Sequence, residues 1–342
     1  MRGRYDYNVD MSPTIKDIAA RAGISYATVS RALNGKYGVS KDTREKVKAL
    51  ALEMDYQPNA IARGLVSRST KTVGLVIPDI ANPFFPRIAL GVEERLLKFG
   101  YSVFLCNTSW NSDREQNYLN TLIQNQVDGI IISPVTQYSD AIESMIPEDI
   151  PLVYVSSHPE GTTLSHVMVD NVKGADMAVS HLLSRNRKRI AFIGSEQDIH
   201  ALDDRLAGYR QALKRANIEV SEDLIVLDEF QERSGYKMIR GLLDKGIVPD
   251  AVFAENDLLA LGVFEGIRAS GYRVPEDIAV IGFDDIPIMS HPDIQITTIH
   301  QPKYRIGVYA AEVLLHQLTL SSSERRMERV TLQPELIVRR ST

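Results

Sequence analysis

Cysteine and long apolar runs are scarce in this sequence. Its 342 residues include one cysteine, Cys106, so no disulfide can form within the chain. Cys106 ends an apolar run that starts at Tyr101, and we predict that it is a small, buried hydrophobic residue. No run of about 18 apolar residues occurs, and the polar N-terminus lacks the apolar segment of a secretory signal. These absences argue against a membrane protein and favour the reducing cytoplasm.

Motifs of common enzyme classes are missing as well. The sequence has no glycine-rich phosphate loop after a strand, no nucleophile elbow and no His-Glu-x-x-His zinc motif. Its seven histidines are scattered and form no pair four residues apart. The sequence therefore argues against an enzyme, and we expect neither a metal ion nor another cofactor.

The composition is that of a folded protein whose charge is divided along the chain. Hydrophobic residues make up 44% and charged residues 24%, close to the globular average, and the length suggests two or three domains. Residues 1–72 hold 13 basic and 7 acidic residues, whereas the remainder holds 26 basic and 37 acidic residues. A basic head on an acidic body is typical of a modular nucleic-acid binder. A basic surface that binds nothing would show the same balance.

Three short helices are predicted in the basic head. Thr14 can cap a first helix, which Gly23 ends. Ser25 can cap a second over residues 26–33, and Ser40 can cap a third. Apolar residues recur on one face of each helix. Three helices with a tight glycine turn between the first two are the layout of a helix-turn-helix domain.

The second of these helices is predicted to read DNA. Tyr26, Ala27 and Arg31 lie outside its apolar face, on the side that would enter the major groove. Arg31 can donate two hydrogen bonds to guanine, and Ala27 can contact a thymine methyl group. Short polar residues suited to phosphate contacts surround them: Ser25, Thr28, Ser30 and Asn34. A protein-interaction module with a solvated polar face is the alternative.

The head resembles a known family. The segments TIKDIAARAGISYATVSRALNG, from Thr14, and YQPNAIARGL, from Tyr56, closely resemble the head-piece of the lactose/galactose repressor (LacI/GalR) family. Weaker motifs extend the resemblance to residues 336–339, so it covers nearly the whole chain. It implies a helix-turn-helix domain over residues 12–57, with Thr14 and Tyr56 among the DNA contacts.

A hinge is predicted over residues 58–71. Its helical part, residues 58–65, is shorter than the roughly 12–15 residues that an isolated helix needs in water, so we expect it to be helical only when something holds it. The resemblance implies that paired hinges of a dimer fold in the minor groove. Leu65 would then wedge into the central base step, and Asn59 and Ala62 would make further contacts. A plain linker is the alternative.

From residue 72 on, short apolar strands alternate with amphipathic helices. This alternation predicts βαβ units, hence an α/β body of doubly wound parallel sheets. The predicted strands form two series: 72–77, 101–106, 128–133 and 151–155, then 189–193, 223–227, 250–253 and 278–281. The resemblance implies an effector-binding domain over 72–342, like a periplasmic binding protein, that crosses between two lobes three times. Its N-lobe would be about 72–160 and 295–322, and its C-lobe about 161–294 and 323–342.

Polar residues at the ends of the predicted strands point to a ligand site in the interlobe cleft, because parallel sheets bind ligands outside the carboxyl ends of their strands. Arg205, Asn256 and Asp284 each follow a strand of the second series. An arginine, an amide and a carboxylate together can bind the hydroxyl groups of a sugar or the edges of a base. The resemblance implies these three as effector contacts, together with Phe84, Phe85, Phe230 and Gln301. The aromatic residues could instead belong to the core.

One position departs from the family pattern. After the strand at 151–155 many members carry an aspartate at the cleft, whereas this chain has Ser156, a candidate effector contact at that position, followed by Ser157. The change removes a strong acceptor for ligand hydroxyl or amino groups, so no particular sugar or purine can be carried over. An acidic or phosphorylated effector would fit the change, or Asp79 or Asp170 could supply the acceptor.

Together these patterns predict a cytoplasmic, dimeric transcription regulator, most simply a repressor. It would bind a palindromic double-stranded operator and respond to a small, sugar-type effector in the cleft. Three alternatives stay open from the sequence: a solute-binding module with a protein-interacting head, a regulator controlled by a protein co-regulator, and an enzyme on a doubly wound fold.

Overall fold

The computed structural model divides the chain into two units, which we describe separately. The head is Met1–Thr70 and the body is Lys71–Thr342. The structure describes residues 13–35, 37–56, 69–135, 139–158, 161–195, 199–228 and 233–342.

The start and stop signals of the head act as predicted. Its helices are α1 (Ile15–Ala22), α2 (Tyr26–Leu33) and α3 (Lys41–Glu53). At the start of α1, the backbone N–H and hydroxyl of Thr14 donate to the carboxylate of Asp17 at 2.7 and 2.6 Å. At its end, Gly23 takes the left-handed conformation with φ of 69°, which lets the N–H of Ile24 bond to the carbonyl of Ala19 at 3.2 Å. The tight turn between α1 and α2 follows from this glycine.

The three helices share one small apolar core. Ile18 of α1, Val29 and Ala32 of α2 and Val47 of α3 are all completely buried in it. Because α2 contributes one face to this core, its opposite face is directed to solvent. The predicted helix-turn-helix arrangement of the head is thus confirmed.

The described part of the body contains two six-stranded sheets, as predicted for a doubly wound α/β fold. In spatial order the first sheet has β11 (Arg329–Leu332), β5 (Ser165–Val169), β4 (Leu152–Val155), β3 (Gly129–Ile132), β1 (Thr72–Ile77) and β2 (Ser102–Asn107), all parallel. The second has β12 (Glu335–Ile337), β10 (Thr297–His300), β9 (Ala279–Asp284), β8 (Ala251–Ala254), β6 (Ile190–Ser195) and β7 (Ile225–Asp228), parallel except for β12.

Helices cover both faces of each sheet, which is why most strands read as continuous apolar runs. The first sheet lies between α4 (Phe84–Leu97) with α11 (Lys303–Gln317) and α5 (Ser112–Gln124) with α6 (Ser139–Glu143). The second lies between α7 (Asn171–Ser184) with α8 (Ile199–Arg215) and α9 (Ser234–Asp244) with α10 (Asp257–Ala269).

Sheet membership corrects the predicted lobe boundaries. Strands β5 and β11 pair within the first sheet and β10 within the second, so the chain crosses near Asp170, at Gln301–Pro302 and between β11 and β12. The N-lobe therefore comprises residues 72–169 and 303–332, where 72–160 and 295–322 were predicted. The C-lobe comprises residues 171–300 and 335–342, where 161–294 and 323–342 were predicted. These strands contain polar residues such as His166 and Thr298, so no apolar run marks them in the sequence. Their hydrogen bonds to neighbouring strands decide which sheet each of them joins.

Strand β2 also differs from its prediction. It lies at the edge of the first sheet, where Phe104 and Leu105 are exposed and Cys106 is only half-buried. Partial burial raises the pKa of the Cys106 thiol. A smaller correction concerns residues 222–224, which form a 3-10 turn before β7 rather than the start of a strand. No helix in the described ranges is long and apolar enough to cross a membrane.

Candidate functional site

Helix α2 presents the predicted reading residues on one accessible face. Tyr26, Ala27 and Arg31 are exposed, with 52% of Tyr26 accessible, whereas Val29 and Ala32 on the other face are buried. The side chains that were expected to read bases are therefore free of the head core. Their grouping suits a helix placed in a DNA groove.

The short polar residues of the head bond to its own backbone. Ser25 accepts a hydrogen bond from the N–H of Thr28 at 3.2 Å and so caps α2. The amide of Asn34 donates to the carbonyl of Ser30 at 2.9 Å and closes the other end of that helix. Thr14 caps the start of α1, as described above, and Tyr56 packs against the head core. Their contacts with DNA stay predictions, and the hinge residues Asn59, Ala62 and Leu65 lie outside the described residues.

Three predicted ligand residues come together at the carboxyl edge of the second sheet. Arg205 of α8 and Asp284, the last residue of β9, are 6% and 5% exposed, and Nη2 of Arg205 lies 4.0 Å from Oδ1 of Asp284. Nε2 of Gln301, on a crossing segment, donates to the same Oδ1 at 2.7 Å. The structure thus places a cation, a carboxylate and an amide within one small group.

Arg205 is held on three sides. Its Nε donates to Oδ1 of Asn171 at 3.0 Å, and its Nη1 donates to the carbonyl oxygen of Glu255 at 2.7 Å. Its guanidinium lies over the ring of Phe283, 3.9 Å from the centroid. A cation fixed in this way is preorganised for a ligand, since little rotamer freedom remains to be lost on binding.

Sequence reasoning missed Asn171, because it follows the unpredicted strand β5. The residue is buried, and its Oδ1 accepts from Arg205, which orients the amide. In the part of the chain that the structure describes, its Nδ2 has no hydrogen-bond partner. A buried donor without a partner is uncommon and is typical of binding sites.

The backbone that carries Asp284 is strained. Asp284 and the following Asp285 have positive φ values of 119° and 56°, which side-chain-bearing residues rarely adopt. Several hydrogen bonds hold this turn. The N–H of Ile286 donates to Asp257 at 2.8 Å, and the N–H of Asp285 donates to the hydroxyl of Thr298 at 3.3 Å. Nζ of Lys303 donates to the carbonyl oxygens of Asp284 and Asp285. Such conformations persist only where their surroundings stabilise them, and they cluster at functional sites.

The two neighbouring carboxylates have structural roles. Asp285 accepts from Nδ1 of His300 at 2.9 Å and from Nη2 of Arg339 at 2.6 Å. Burial alone would raise the pKa of Asp285, but these two bonds outweigh it and hold the pKa below its ordinary value. Asp257 is completely buried, which raises its pKa well above the ordinary value, and it accepts from the hydroxyl of Thr298 at 2.6 Å.

Asn256 lies at the same edge of the sheet, where it caps α10. Its Oδ1 accepts from the N–H of Leu259 at 2.9 Å, so its amide NH₂ is the group left for a ligand. The cap explains the position of Asn256 without a ligand, and its effector contact stays a prediction.

On the N-lobe side the predicted aromatic residues belong largely to the core. Phe84 and Phe85 are almost completely buried and pack edge to face, with ring centroids 5.1 Å apart. Phe85 also contacts Trp110, which sequence reasoning missed, at 6.3 Å. Ser156, at the end of β4, has a positive φ of 72° and is partly accessible. Phe230 lies outside the described residues.

The two alternative acceptors for the missing aspartate are turned to their own backbone. Asp170 accepts from the N–H of Lys173 at 2.9 Å, and Asp79 accepts from the N–H of Ala81 at 2.8 Å. Arg205 and Asp284, in contrast, place a donor group and an acceptor group close together at the edge of the second sheet. Such a pair suits a ligand with adjacent hydroxyl groups or a polar ring edge.

Comparisons with known proteins agree with both parts of the molecule. Residues 14–59 match the family model of bacterial regulatory proteins, lacI family, and residues 179–342 match that of a periplasmic binding protein-like domain. The ribose operon repressor of Escherichia coli (strain K12) is 36% identical over 96% of this chain and 99% of its own length. A structure of the lac repressor dimer bound to operator and the anti-inducer ONPF covers 96% of this chain and 99% of its own, with 28% identity and a TM-score of 0.85. A complex of the transcriptional regulator CelR with cellobiose covers 96% of this chain and 100% of its own, with 35% identity and a TM-score of 0.73.

Proposed function

The chain belongs to the lacI family of DNA-binding bacterial regulators, and on this premise we propose that it is a dimeric repressor of sugar metabolism genes. It binds a palindromic operator with its head and a sugar-type effector with its interlobe cleft, and it acts in the cytoplasm, where the DNA is. The observation that carries the DNA part is the exposed face of α2, with Arg31, Tyr26 and Ala27 outside the core. The relatives' roles as transcription regulators support the same function rather than catalysis.

The effector part rests on the pair formed by Arg205 and Asp284. Both side chains are buried at the carboxyl ends of the C-lobe strands, and a sugar hydroxyl can accept from the guanidinium while an adjacent one donates to the carboxylate. The relative with bound cellobiose supports a sugar as the ligand class. An effector that binds one arrangement of the lobes more tightly shifts the population to it, and this changes the operator affinity.

The dimer part rests on an exposed apolar surface of the N-lobe. Leu90 and Leu97 of α4 are exposed, and so is Phe99, which directly follows that helix. Phe104 and Leu105 of the neighbouring edge strand β2 are exposed as well. Surfaces of this kind mark protein interfaces, and a second copy of the chain is the occupant that a palindromic operator requires. Sedimentation of Leu97→Glu should show monomers at concentrations where wild type is dimeric, whereas Val248→Glu on the C-lobe should stay dimeric.

The DNA function can be tested without knowledge of the operator. Duplexes are selected from a random pool with the purified protein, and the enriched sequence is then titrated by fluorescence anisotropy at several salt concentrations. We expect a palindrome, and an affinity that falls linearly with salt on logarithmic scales. Arg31→Met should lower the affinity for the selected duplex roughly 10- to 100-fold and relax the preference at one base pair per half-site. Arg21→Met, an equal charge change on α1, should keep the preference. No enrichment, or equal loss in both variants, would refute the assignment.

The effector is tested by thermal unfolding against a panel of sugars, sugar phosphates, polyols and purines. A ligand at 100 times its dissociation constant adds about 2.7 kcal/mol to the free energy of unfolding, a shift of several degrees. We expect a shift with at least one sugar, and its loss in Arg205→Met. A shift with purines alone would move the effector to another class, and no shift across the panel would refute control by these metabolites.

A further inference from the structure

Lys303 belongs to the N-lobe but its ammonium group reaches the C-lobe. It is the first residue of α11, and its Nζ donates to the carbonyl oxygens of Asp284 and, at 3.0 Å, of Asp285. Only 7% of the residue is exposed. A buried ammonium group is tolerated only where hydrogen bonds offset its lost hydration, so these two carbonyls account for the position of the lysine.

The two carbonyls belong to the strained turn that aims the Asp284 carboxylate. Both residues of the turn have positive φ, and the carboxylate lies beside Arg205 and Gln301. A cation that bridges two consecutive carbonyl oxygens stabilises this conformation, because it lowers the energy of an arrangement that places both oxygens on the same side. Without the ammonium group the turn would lose the cation that bonds to both of its carbonyl oxygens.

At its other end Lys303 is fixed in the N-lobe. Helix α11 packs on α4 with the two backbones in direct contact, since a Cβ at Gly91 would overlap the carbonyl oxygen of Tyr304, and one at Gly307 would overlap that of Ile88. A close helix pair moves as a unit. The ammonium group of Lys303 therefore moves with the N-lobe, whereas the turn that it holds moves with the C-lobe.

From this geometry we infer that Lys303 is a positioning residue that fixes the Asp284 carboxylate for the effector and links it to the N-lobe. The inference rests on the proposed function, in which Asp284 contacts the effector. An effector that bonds to Asp284 then stabilises the turn, the link to α11 and one relation of the two lobes together.

The first test needs no effector. Hydrogen exchange followed by mass spectrometry is measured on wild type, Lys303→Met and Arg305→Met. Methionine keeps the apolar stem of lysine, and Arg305 is an exposed cation two residues further along the same helix. We expect exchange at residues 284–286 to become roughly 10- to 100-fold faster in Lys303→Met, the factor for a lost charge-assisted hydrogen bond, and to stay unchanged in Arg305→Met. Lys303→Arg keeps the cation and should keep most of the protection.

The second test separates positioning from general stability. Calorimetric titration with D-ribose and with cellobiose should show an affinity at least 10-fold lower in Lys303→Met for whichever sugar wild type binds. Arg305→Met, which leaves the bonds of Lys303 in place, should bind that sugar with wild-type affinity. Unchanged exchange at residues 284–286 in Lys303→Met would overturn the inference. Equal loss of protection in Lys303→Met and Lys303→Arg would overturn it as well. If wild type binds neither sugar, D-ribose and cellobiose are excluded as effectors, while the exchange result still decides whether Lys303 holds the turn.

Discussion

Replacing Thr298 with valine tests whether the turn that carries Asp284 depends on the buried carboxylate of Asp257. Thr298 and Asp257 are both completely buried, and the Thr298 hydroxyl donates to Oδ1 of Asp257 at 2.6 Å. The other carboxylate oxygen accepts from the N–H of Ile286, which belongs to the turn after β9. Valine has nearly the shape of threonine, so the variant removes a hydroxyl group without opening a cavity.

The expected loss follows from these bonds. A hydrogen bond to a charged group contributes about 1.5–3 kcal/mol, and the same hydroxyl also accepts from the N–H of Asp285 at 3.3 Å. We therefore expect Thr298→Val to lower the free energy of unfolding of the body by about 2–3 kcal/mol at a pH where Asp257 is ionised. For a unit of this size that is a fall in Tm of roughly 4–10 °C.

The loss should depend on pH with a definite sign. Burial raises the pKa of Asp257 above its ordinary value of 3.8, and loss of the Thr298 donor raises it further. Between the two pKa values the folded protein keeps a proton that the unfolded chain has released, so stability falls as the pH rises through this range. The extra destabilisation of the variant is complete above its raised folded-state pKa and fades as the pH falls below it. Thr298→Val should therefore lose less stability at lower pH than at higher pH.

The neighbouring residue supplies a matched control. Thr297 is equally buried on β10, but its hydroxyl bonds to the hydroxyl of Thr342 at 2.8 Å and accepts from the N–H of Arg339 at 2.9 Å, rather than meeting a carboxylate. Thr297→Val should lose about 1 kcal/mol, with a weaker dependence on pH. Thermal unfolding of both variants by circular dichroism across a series of pH values checks this. Equal losses in the two variants, or a loss in Thr298→Val that grows as the pH falls, would refute the reasoning.

Two further predictions concern packing. Gly307→Ala should destabilise the body by about 1–3 kcal/mol, because its Cβ would overlap the backbone of α4. Gly241→Ala has open space around it in α9 and should be neutral or stabilising by up to about 1 kcal/mol. Thermal unfolding of both variants checks this, and stabilisation in both would contradict the close contact of the two helices. Val29→Ala should lower the stability of the small head core by about 2 kcal/mol and abolish most operator binding, while the unfolding of the body stays unchanged. Fluorescence anisotropy measures the operator binding and calorimetry measures the unfolding. Full operator binding would show that the head core tolerates the loss.

Elements with a strong local signal could be predicted from the sequence. Helix α2 begins and ends where Ser25 and the following apolar spacing indicate, and the buried central strands such as β1 and β9 appear as apolar runs. Strands whose residues are mixed or polar, such as β10 with two threonines and a histidine, carry no such signal. They form because neighbouring strands offer hydrogen-bond partners, and for this reason the lobe boundaries predicted near 160, 295 and 322 were wrong.

The residues of the candidate site divide in the same way. Arg205, Asn256 and Asp284 could be proposed from the sequence because each follows a strand of a parallel sheet, and ligands bind at that edge. Asn171 and Lys303 could not, because their roles depend on which atoms lie opposite them after folding.

The sequence by itself determined the helix-turn-helix head, the alternating α/β body and the family, because caps, apolar periodicity and motifs are local properties of the chain. Only the tertiary structure decided that β2 is an exposed edge strand, that Phe84 and Phe85 are mainly core, and that Lys303 holds the turn at Asp284 from the opposite lobe. The physical reason is that burial and strand pairing depend on contacts between residues far apart in the chain. Local sequence patterns do not specify such contacts.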